Sequence, residues 1–73
     1  MTRDEWIAAF AREAGVERPS TEEVRELLAL AASAAHASER TAAPLACWLA
    51  GRSPHTLAEL TAAAARISPP PSD

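Results

Sequence analysis

AHASERTAAPLACWLAG, Ala35 to Gly51, is the stretch that decides how this chain folds. At its centre, Thr41-Ala42-Ala43-Pro44 cannot carry a regular helix through unharmed. The proline ring removes an amide donor and pushes Ala43 away from the α region. Thr41 can instead cap a new helix, with Pro44 in its first turn, where a missing N–H costs nothing. A single helix kinked at Pro44 is the alternative; the restriction on Ala43 favours a true break. The stretch therefore ends one helix and begins another, whose short apolar face is Leu45, Trp48 and Leu49, ending at Gly51.

Upstream, Ser20-Thr21-Glu22-Glu23 follows Pro19 and has the spacing of a capping box, a hydroxyl and a carboxylate that satisfy each other's free amides. From there the apolar positions run Val24, Leu27, Leu28, Ala31, Ala34, Ala35 and Ser38. That face starts wide and leucine-rich and narrows to alanine, so a neighbour can come closest near its C-terminal end. Further back, Thr2-Arg3-Asp4-Glu5 is a second capping box. Trp6, Ile7, Phe10 and Ala14 follow on one helical face, read as core, and Gly15 suits a left-handed C-terminal cap with Val16 folding back over it.

Downstream, Ser53-Pro54 reads as a cap followed by proline at the first helical position, and Leu57, Leu60, Ala64 and Ile67 form a stripe. No strand pattern competes. The expected fold is all-α, a small antiparallel bundle of about four helices over residues 1–67. Residues 68–73 are expected to be a disordered proline-rich tail.

Composition narrows the function classes. A chain of 73 residues with one cysteine holds a single domain with a thin core and no internal disulfide. The net charge is −3 and all seven basic residues are arginines spread along the chain, which argues against a phosphate-tracking nucleic-acid binder. No apolar run spans a bilayer and the acidic start is no signal peptide, so the expected location is the cytoplasm, away from membranes.

The chemistry-bearing residues cluster at the junction. His36, Glu39 and Arg40 stand three and four apart and so share one helix surface. A histidine–carboxylate pair is an element of acid–base and metal sites, but zinc needs three or four ligands, and His36, His55 and Cys47 with scattered carboxylates show no ligand spacing. Cys47, beside Trp48 in an apolar run, reads as a small hydrophobe and not a nucleophile. His55, after a helix-starting proline, reads as solvated. No catalytic residue, metal ligand or cofactor is expected. His36 and Arg40 can serve the last free carbonyls of their helix, held by Glu39, as an internal clamp. The functional alternative is a recognition patch of His36, Glu39, Arg40 and Trp48. Burial separates the two.

LALAASAAHASERTAAPLACWLAG, Leu28 to Gly51, resembles the core of a small actinobacterial domain family of unknown function. That family combines a tryptophan-containing first helix with a motif A-H-x-x-E-R-x-A-A-P-L and an apolar stretch ending in glycine. The matching residues are Trp6, Ala35, His36, Glu39, Arg40, Ala42, Ala43, Pro44, Leu45 and Gly51; Cys47 and Trp48 depart from the pattern. Relatives occur alone or fused behind molybdenum-cofactor guanylyltransferase, some near formate-dehydrogenase accessory genes. The start at Met1, just before the first helix, reads as the standalone form. With no glycine-rich nucleotide loop, the chain is not expected to be the transferase.

The resemblance implies a non-catalytic accessory or interaction module that assists maturation or delivery of the molybdenum cofactor (molybdopterin guanine dinucleotide). Its partner would be a guanylyltransferase or a molybdoenzyme. Two other readings are a small-ligand-binding or enzyme-subunit domain using His36 and Arg40, and a self-associating bundle with no ligand. In the last, the alanine-rich final helix makes a homodimer.

Overall fold

The computed structural model describes residues 1–67 and contains four helices: α1 (Arg3–Ala14), α2 (Thr21–Ala37), α3 (Ala42–Arg52) and α4 (Leu57–Ala65). They form a small helical bundle, with no strand among the described residues. The tail expected over residues 68–73 lies outside the described residues.

Local sequence accounts for the helix ends. Both expected capping boxes form: Thr2 and Ser20 each accept the amide of the glutamate three residues on, Glu5 and Glu23, and each glutamate returns the bond. The bond from the Thr2 amide holds the Glu5 carboxyl below its ordinary pKa. At the other end of α1, Gly15 adopts φ 75°, the Gly15 amide bonds to Arg12 O at 3.2 Å and that of Val16 to Ala11 O at 3.0 Å. This is the paired bonding of a Schellman motif, and it needs a residue at ease in the left-handed region.

The helix between Ser20 and Pro44 does break, after Ala37. Ser38 is the stop: its amide and its hydroxyl both donate to Ala34 O, at 3.2 and 2.8 Å. Thr41 precedes α3 as expected but caps it with no side-chain bond; its hydroxyl donates to Glu39 Oε1 at 3.4 Å instead. The last helix starts later than Ser53-Pro54 suggests. Its cap is Thr56, which forms a third capping box with Glu59, while Ser53 Oγ accepts the amide of His55 at 3.1 Å in the connecting turn. Proline at Pro54 bends the connection and does not open the helix.

Packing differs more from the expectation. α2 is the central helix, in close contact with both α3 and α4. Because it is covered from two sides, its buried face is wide and takes in Leu30, the largest side chain of the core at 6% exposure. Leu28, expected in that face, is 53% exposed. On α3 the sides are reversed. Ala50 is buried and Ala43, Ala46 and Cys47 are half-buried, whereas Leu45, Trp48 and Leu49 point outward. Small residues at these spacings let α3 lie close on α2, which Trp48 or Leu49 at the contact would prevent. The α4 stripe is half-buried at Leu57, Leu60 and Ala64 but not at Ile67, which is exposed.

α1 stands apart, approaching no other helix as closely as α3 and α4 approach α2. Trp6 and Phe10, expected in the core, are more than half exposed and stack on each other with ring centroids 5.1 Å apart and 18° between planes. Ile7 instead turns inward, lining an open groove of about 610 Å³ with Val24, Leu27 and Leu28 of α2. No described helix is long and apolar enough to cross a membrane.

Candidate interaction surface

The α2–α3 junction presents His36, Glu39 and Arg40 to solvent, all three exposed. His36 lies in the last turn of α2, and Glu39 and Arg40 in the four-residue connection that follows. Among the described residues no hydrogen bond or ion pair joins any two of them. Neither side chain donates to a carbonyl of α2 among the described residues, so the internal clamp is not the arrangement seen; Ser38 alone bonds back, to Ala34 O. The Glu39 carboxylate accepts the long bond from Thr41, and the Glu39 and Arg40 carbonyls accept the amides of Ala42 and Ala43 at 2.9 and 3.2 Å. The patch is a set of polar side chains with unused bonding capacity around a short break.

Trp48 is on the outer face of α3, and its ring carries the Arg52 guanidinium at 4.5 Å from the centroid. That distance is well within cation–π range. Leu45, Leu49 and Arg52 share this face, at helical spacings from Trp48. An exposed tryptophan beside an arginine is a combination that protein interfaces favour. Periodicity places Trp6 and Phe10 in the core and makes Leu45, Trp48 and Leu49 the apolar face of α3, yet all five are exposed. The signal against it was the other side of α3, where Ala43, Ala46, Cys47 and Ala50 make an unbroken small stripe.

Cys47 sits half-buried against α2, its thiol 4.0 Å from Leu27 O, a weak contact. His55 is exposed, as expected, with Nδ1 3.7 Å from Glu59 Oε1. Glu59 has its pKa lowered, first by the Thr56 amide and hydroxyl and then by His55. No three His, Cys, Asp or Glu side chains among the described residues gather as metal ligands would. A second open groove is lined by Arg18, Leu27, Cys47, Ala50 and Leu57, where the α1–α2 link passes α3 and α4.

A family model for a domain of unknown function, DUF6457, matches residues 1–69. The chain belongs to this family. The match runs from the exposed α1 through α4, so the helices and the junction all fall inside the DUF6457 domain. No curated protein and no solved structure is detectably similar to the chain.

Proposed function

We propose that the protein is a non-catalytic interaction module whose His36, Glu39 and Arg40 dock a protein partner in the cytoplasm. The observation that carries this reading is the exposure of all three side chains without mutual bonds, on a break fixed by other residues. Polar groups already spent on one another would have to be desolvated and separated before a partner could use them. These need no such separation, and an arginine with a neighbouring carboxylate can both donate to and accept from a partner's surface.

The partner class comes from the resemblance of the A-H-x-x-E-R-x-A-A-P-L stretch to actinobacterial domains found alone or behind molybdenum-cofactor guanylyltransferase. On that ground the partner is a guanylyltransferase of this kind or a molybdoenzyme, and the module assists maturation or delivery of the cofactor. The test is affinity capture from the native cell extract, with bound proteins identified by mass spectrometry. The intact chain should retain such a partner. His36→Ala and Arg40→Ala should each reduce its recovery by about tenfold, the loss of one good interface contact, while circular dichroism stays helical. Equal recovery by both variants would remove these residues from the docking site, and capture without any molybdenum-cofactor protein would remove the partner class.

A further inference from the structure

α1 and α3 each carry an outward stripe, and the two stripes are complementary. On α1, Trp6, Phe10 and Glu13 share a face, at spacings of four and three. On α3, Leu45, Trp48, Leu49 and Arg52 share another. Each is an apolar strip closed at its C-terminal end by one charge, negative on α1 and positive on α3. Neither Glu13 nor Arg52 has an ionic partner among the described residues.

We propose that two copies of the chain pair through these stripes. The α1 stripe of each lies on the α3 stripe of the other, the helices running parallel so that Glu13 meets Arg52 of the second copy. With the copies related by a two-fold axis, such an arrangement is reciprocal and has two equivalent contacts.

One further observation favours a covering partner, the state of α1. It has 12 residues and little packing from its own chain, and isolated helices of about that length are marginal in water. A partner surface that covers Trp6 and Phe10 supplies the missing packing. The dimer surface is thus α1 and α3, not the alanine-rich α4, whose half-buried stripe is spent on α2. Trp48 belongs to this contact, which leaves His36, Glu39 and Arg40 for a different partner.

Sedimentation equilibrium of the full chain, 7.7 kDa, tests the pairing. The expected mass is twice that of one chain. Glu13→Arg and Arg52→Glu should each weaken dimerisation by about tenfold or more, because each sets like charges against one another across the contact. The double variant should recover it. Both positions are exposed, so neither reversal should disturb the fold, which circular dichroism checks. A monomer at every concentration would overturn the pairing. A dimer indifferent to both reversals, or one that the double variant fails to restore, would overturn the α1-on-α3 arrangement. Neither result bears on capture through His36 and Arg40, and failed capture would leave the dimer standing.

Discussion

Leu30→Ala should leave the chain largely unfolded at room temperature. Among the described residues Leu30 is the one large side chain that is buried; the other two core residues, Ala11 and Ala50, are alanines. Removing a buried leucine side chain costs about 2–5 kcal/mol, the lost transfer energy plus the cavity left behind. A chain of this size rarely has more than about 3–5 kcal/mol to lose. Leu30 is in α2, the helix that contacts both α3 and α4, so nothing central survives to hold the bundle. Leu28→Ala, two residues away and half exposed, is the control and should keep most of the helical signal. Circular dichroism during urea unfolding separates the two. Equal effects would mean that α2 is rotated from the orientation described.

Ala50→Leu should destabilise by about 1–3 kcal/mol, the usual cost of forcing extra methylenes into a packed contact. On the outward reading of α3 this is paradoxical, since leucine is the larger hydrophobe and Ala50 lies beside Leu49. The structure resolves it: Ala50 is buried and Leu49 is exposed. A lower midpoint in thermal unfolding for Ala50→Leu, with Leu49→Ala changing it far less in dilute solution, would verify which side of α3 faces α2. An increase in stability on Ala50→Leu would show that the contact has room to spare and that close approach is not what the alanines supply.

The helices themselves were legible because their ends are written in local chemistry. Two capping boxes, the glycine at Gly15 and the break around Pro44 depend on residues within a few positions of one another. The third box, Thr56 with Glu59, has the same spacing as the others and was masked by Ser53-Pro54, which also resembles a helix start. Sidedness was less legible. Periodicity finds a stripe of large apolar residues and takes it to face inward, and where a small stripe lies opposite, as in α3, the large one outweighs it. In α3 the alanine and cysteine side forms the contact, and the larger residues remain outside. Leu30 escaped for a related reason: a helix covered by two neighbours buries a face wider than the stripe expected for one. At the junction the spacing of His36, Glu39 and Arg40 put them together correctly on the chain. Their exposure was open in the sequence, because spacing along a helix end does not say whether the side chains turn back onto it or out to solvent. Trp48, the fourth residue of the expected patch, is exposed on α3 with Arg52 over its ring.

In the proposed dimer the large apolar side chains of α1 and α3 face outward and are covered by a second copy of the chain. The chain's two tryptophans, Trp6 and Trp48, sit one in each stripe, so acrylamide quenching of their fluorescence across a dilution series reads that covering directly. Both indoles, more than half exposed, should be readily quenched at concentrations where the chain sediments as a monomer and become shielded as the dimer fills. Indoles that are shielded in the monomer itself would contradict the account, because they would then belong to the core of a single chain.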